Sequence, residues 1–239
     1  MEDAAVERAA TSAALGHRGR LSEQEIADLE AAARDDVDPR CRAAALAALV
    51  RAAPGPHALG TWRLATLDPS VMVRSRGADV APELATRPGV DATEIATALV
   101  SLLNDAQVMV VVAAAWALGE LDTEGGSDFE SARASMVASL CAVTTDHPDA
   151  LAREAAVAAL GSLGDARAVP AILTACSDSP TVRRRAVLAL APFDGPEVTA
   201  ALETAPRPGT ICTPSKAANG VTSLIRLSID APPCTSMRG

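Results

Sequence analysis

Between Asp149 and Leu163 the residues Ala152, Ala156, Ala159, Leu160 and Leu163 fall on one face at 100° per residue, while Glu154 and Ala158 point the other way. That is the pattern of an amphipathic helix. It returns along the chain. Arg153 stands six residues ahead of Ala159-Leu160, Arg183 six ahead of Ala189-Leu190, and Arg42 six ahead of Ala48-Leu49. Val73-Arg74 leads to Val80-Ala81-Pro82, and Val110-Val111 leads to Ala117-Leu118-Gly119, with Val111 in the arginine slot. The copies recur at roughly 30 to 42 residues, the interval of helix-pair repeats. Each is split by a turn: Asp38-Pro39, Asp68-Pro69, Asn104-Asp105, His147-Pro148-Asp149 and Asp178-Ser179-Pro180. Asp or Asn caps a following helix, and Pro is tolerated in its first turn. The spacing predicts first helices over 22–34, 57–67, 92–103, 128–143 and 166–176. It predicts second helices over 39–52, 70–86, 105–121, 149–163 and 180–192, and a sixth first helix over 196–205. Ser22 and Glu25 form a capping box at the first of these.

One helix pair cannot bury its apolar stripe alone, and stacked neighbours bury it together. The expected fold is therefore all-α: an α-solenoid, a superhelix of five to six antiparallel helix pairs. Residues 1–21 read as an N-terminal capping segment, 22–205 as the repeat solenoid, and 206–239 as a divergent, loosely ordered tail. The tail is rich in Ser, Thr and Pro and holds Lys216, the chain's one lysine.

The pattern resembles HEAT repeats, in particular the short HEAT-like repeats of phycobilisome lyase proteins. Three segments carry the resemblance: Asn104–Leu121 with its Ala-Ala-Ala-Trp-Ala-Leu-Gly-Glu-Leu ending, Asp149–Asp165, and Asp178–Leu190. It implies the solenoid fold. For function it implies a scaffold, an enzyme-accessory factor or, as the alternative, a lyase-like factor that handles bilins. It also implies a structural ladder between neighbouring repeats. Asp68, Asp149 and Asp178 would pair with Arg74, Arg153 and Arg183, within or across repeats.

Composition supports a helical core and narrows the partners. Of 239 residues, 49 % are hydrophobic and only 2 % aromatic, with no tyrosine. Such a chain packs small side chains between close helices, whereas sheets draw on aromatic and β-branched residues. A net charge of −9 has the wrong sign for nucleic acid or an anionic membrane. Five cysteines with no CxxC pair suit buried thiols in a reducing compartment. The acidic Met1-Glu2-Asp3 start lacks the basic region of a secretory signal. The uncharged stretch Ala106–Gly119 is too short to span a bilayer. A cytoplasmic protein is expected.

Catalytic signals are sparse. The chain has three histidines and no HExxH, GxSxG or phosphate loop. No catalytic residue, metal ligand or cofactor is expected, and the turn carboxylates read as helix caps. The arginines admit a second reading as an anion-binding stripe, because Arg binds carboxylate or phosphate bidentately. Helix phase picks out a candidate groove on the second helices. It comprises Ser75 and Asp79 in the second copy, Val112 and Trp116 in the third, Glu154 in the fourth, and Arg184 and Leu188 in the fifth. Arg74 is carried with them. Trp116 has two readings: a core residue in an apolar run, or an exposed anchor opposite the apolar stripe. Trp62, on a first helix, is expected to pack between repeats. The expected function is non-enzymatic binding of a protein partner in the groove.

Overall fold

The computed structural model describes residues 2–121 and 127–204, with the side chains of residues 2, 127 and 128 excepted. They belong to one compact unit that spans residues 1–205. The tail expected over 206–239 lies outside the described residues. Among those described there are twelve α-helices and no strand. They are α1 (Glu2–Gly16), α2 (Glu23–Asp35), α3 (Pro39–Ala52), α4 (Gly55–Ala65), α5 (Val71–Ala85) and α6 (Ala92–Leu102). There follow α7 (Val108–Glu120), α8 (Ser127–Asp146), α9 (Ala150–Leu163), α10 (Val169–Ala175), α11 (Pro180–Ala189) and α12 (Pro196–Thr204). The fold is an α-solenoid in two layers. The second helices α1, α3, α5, α7, α9 and α11 stack in chain order, and the first helices pack against one side of that layer. Contacts within the second-helix layer are the more extensive. No described helix is long and apolar enough to cross a membrane.

Local chemistry sets the ends. Ser22 and Glu25 close the capping box on α2. The Asp38, Asp91 and Asp149 carboxylates accept from the second N–H of α3, α6 and α9. Gly164 ends α9 at a φ of 61°, a left-handed conformation that needs no Cβ. Four boundaries differ from expectation by three residues, among them the end of α8, which runs on to Asp146. α7 starts at Val108 because the Asp105 carboxylate accepts from the Gln107 N–H and holds the preceding turn. The fifth first helix opens as a 3₁₀ turn, Ala166–Ala168, before α10. α11 ends at Ala189, ahead of Pro192, which cannot donate to a continuing helix.

α1 occupies a full place in the second-helix layer and packs on α3. A groove of about 590 Å³ opens between α1 and α2, lined by Leu15, Leu29 and Ala32 among others.

The core follows from small residues at helix crossings. A Cβ on Gly16 would lie 2.9 Å from the Ala48 Cα, and a Cβ on Gly119 or Gly161 would lie 2.8 Å from the Ala159 or Ala189 Cα. These alanines are the ones that follow the repeat arginines by six residues. Glycine on one helix and alanine on the next let the backbones meet. Trp62 is fully buried, and its indole N–H donates to the Gly77 carbonyl of α5 at 2.7 Å.

Candidate functional site

The arginine slot of each second helix faces the next repeat. Arg42 on α3 donates from Nε and Nη2 to both oxygens of Asp68, each at 2.8 Å. Arg74 on α5 does the same to Asp105 at 2.7 and 3.0 Å, and Arg153 on α9 to Asp178 at 2.7 and 2.8 Å. Each of these arginines turns Nη1 back to a carbonyl in its own turn, that of Asp36, Asp68 or His147. Every rung therefore ties two turns together through one planar guanidinium. Arg8 on α1 adds a rung to Asp36.

The ladder thus runs across repeats, with each aspartate serving the preceding arginine. Of the two arrangements expected, within or across repeats, the rungs take the one across. Asp68 belongs to Arg42, and Arg74 is committed to Asp105 rather than to the groove. Asp149 accepts from the Leu151 N–H as a helix cap and holds no rung. Arg183 makes no ion pair with a described residue. Between α7 and α9 both partners are replaced together: Val111 fills the arginine slot, fully buried, and His147 stands where Asp68 stands in its repeat.

The rungs bias the carboxylates toward ionisation. The Arg74 guanidinium lowers Asp105, and Arg153 holds Asp178 at about 2. Burial opposes ionisation of Asp68, but the Arg42 guanidinium and the Ser70 N–H outweigh it, so its pKa is lowered. Asp165 is lowered by Arg167 and Arg133, outside the main ladder.

The side of the second helices turned away from the first layer carries the candidate groove. Trp116 is exposed there at 43 % and Leu188 at 62 %, so the exposed reading of Trp116 holds over the core one. α9 passes between their helices with the small side chains of Ala158, Gly161 and Ser162. These residues, with Arg185 and Ala189, line a depression of about 250 Å³. The Arg185 guanidinium lies 5.8 Å from the Trp116 ring centroid, within cation–π reach. It also approaches the Glu154 carboxylate at 3.5 Å. Arg184 is exposed and does not line this depression, so Arg185 takes the place expected of it. Val112 and Glu154 are half-buried on the same face, and Asp79 is exposed beside Arg76. The Ser75 hydroxyl is buried with no hydrogen-bond partner.

Three further members of the face were missed by phase reading. Met72, Met109 and Leu151 are exposed large apolar residues on α5, α7 and α9. Each lies two residues before the arginine slot and, at 100° per residue, shares the azimuth of Asp79, Trp116 and Ala158. The signal was available in the repeat alignment, but the second position of a helix is easily dismissed as part of the turn. Val6 on α1 repeats the pattern.

Helix pairs stacked in register, rungs between their turns and an outward face along the second helices define an α-solenoid of tandem repeats. Residues 137–207 match the family model for HEAT repeats. That segment is similar to HEAT repeats, and the match does not single out the phycobilisome lyase type. No curated protein matches it. Among solved structures it is similar to a designed armadillo repeat protein in complex with the peptide (KR)4. Identity is 17 %, coverage 78 % of this chain and 91 % of that one, and the TM-score 0.51. Human deoxyhypusine hydroxylase in complex with glycerol aligns at 18 % identity over 79 % of this chain and 80 % of that one, with a TM-score of 0.36. The armadillo likeness is one of fold.

Proposed function

We propose that this protein is a non-enzymatic scaffold or adaptor that binds a segment of another protein along the outward face of its second helices, in the cytoplasm. The observation that carries this reading is the run of exposed apolar side chains in one register. Met72, Met109 and Leu151 recur helix by helix, with Trp116 and Leu188 beside them. Exposed apolar residues scattered singly need no explanation, whereas residues aligned along one face form a contact surface. Trp and Arg are the residue types enriched at binding hot spots, and here they stack on each other. The depression of about 250 Å³ is smaller than the usual range for small-molecule sites, and it suits one side chain of a larger partner. A peptide is bound to the designed armadillo repeat protein that shares the fold.

The test is affinity capture from source cells with wild type and a Trp116→Ala/Leu188→Ala variant that melts at the same temperature. Proteins captured by wild type should be lost from the variant. Recovery of the same proteins by both would remove this face from the function.

A further inference from the structure

The face is polarised from one end to the other. At α5 it presents acceptors. Asp79 faces outward beside Met72, and its carboxyl is pushed up by desolvation, against the pull of Arg76. One turn earlier the Ser75 Oγ is buried and unpartnered. The Asp79 side chain is half exposed and its contact with Arg76 is long at 3.5 Å, so it can accept from a cation on a bound segment. In the middle, on α7 and α9, the face is mainly apolar, with Met109, Val112, Trp116, Leu151 and Ala158, and the carboxylate of Glu154 is half-buried beside Arg185. At α11 it presents donors. Arg184 is exposed without an ion pair to any described residue, and Arg185 spends one Nη on Glu154 at the long distance of 3.5 Å.

Building on the proposed segment-binding role, we infer that this face takes a linear protein segment of mixed charge. A Lys or Arg meets Asp79, an apolar side chain packs against Trp116 and Leu188, and an Asp or Glu meets Arg184 and Arg185. A uniformly basic segment would set a cation against the α11 arginines. A uniformly acidic one would set a carboxylate against Asp79, and like charges at a contact select against that partner. Length follows from the stack. At about 10 Å between helix axes, α5 to α11 spans about 30 Å, which an extended chain at about 3.3 Å per residue covers in about nine residues. Chain direction is free, because a reversed segment can place the same charges over the same helices.

The test is selection of random dodecapeptides displayed on phage against the full chain, with counter-selection on the Trp116→Ala/Leu188→Ala variant. Selected peptides are then synthesised and titrated by fluorescence anisotropy. Enriched peptides should carry a basic and an acidic residue on opposite sides of an apolar one. Trp116→Ala should weaken them about tenfold or more. Asp79→Asn should weaken them and relax the demand for the basic residue. Arg184→Ala/Arg185→Ala should do the same for the acidic one, with circular dichroism and melting confirming that each variant is folded. Trp116-dependent peptides with flanks of one charge sign would overturn the charge order and leave the segment-binding role standing. Failure to enrich any Trp116-dependent peptide would overturn both.

Discussion

Gly161 shows how one atom decides a helix contact. Alanine is the better helix former by about 1 kcal/mol, so an isolated α9 would gain from Gly161→Ala. In the protein the new Cβ would lie 2.8 Å from both the Cα and the Cβ of Ala189, and the backbone of α11 would have to move. Overpacking of that kind costs about 1–3 kcal/mol, which exceeds the propensity gain. Gly161→Ala should therefore lower the urea midpoint, while Ser162→Ala, next to it and exposed, should not. The outward face was legible at this scale where phase alone decides. Trp116, Leu188 and Asp79 stand out because they oppose the apolar stripe. Arg185 was not separable from Arg184, because a long flexible side chain chooses its neighbour in space, here the Trp116 ring.

The helix pair is held to the next by its rung, and the rungs respond to pH. Asp178 has a pKa of about 2 in the folded protein against an ordinary 3.8, with Arg153 as the main cause. A carboxyl lowered by folding stabilises the fold fully above its unfolded value, and that contribution fades as pH falls through the folded value. Asp36, Asp68 and Asp105 are shifted in the same direction. Thermal stability should thus be level above about pH 5 and fall between about pH 4 and 2. Arg153→Ala should flatten part of that fall by removing one rung; an unchanged acid limb would mean that the rung contributes nothing. Helices and turns were readable because caps and proline act locally, and eleven of the twelve α-helices correspond to segments assigned from spacing. The ladder partners were not readable. Asp68 follows Arg42 by 26 residues and precedes Arg74 by six, and only stacking brings it to the more distant one.

At the scale of the whole unit, stability is the sum of neighbour contacts, so position in the stack sets local stability. α3, α5, α7 and α9 each have neighbours on both sides in the layer of second helices, whereas α12 meets the described helices mainly through α10. Amide exchange should be slowest in α3, α5, α7 and α9 and fastest in α12. Uniform protection from α1 to α12 would show a single cooperative block instead. Composition had already pointed to such a stack, through abundant small side chains and scarce rings.

The rungs have one more consequence. The slots at 8, 42, 74, 111, 153 and 183 are unevenly spaced along the chain, yet Arg42, Arg74 and Arg153 reach their aspartates at nearly the same distances. Glycine–alanine notches and guanidinium bridges set the pitch of the stack, and the connecting loops do not. Counting along the chain and measuring along the molecule have become separate operations. Loops such as the one between α5 and α6 can lengthen or shorten while the outward side chains keep step, as the marks of a ruler do whatever is written between them.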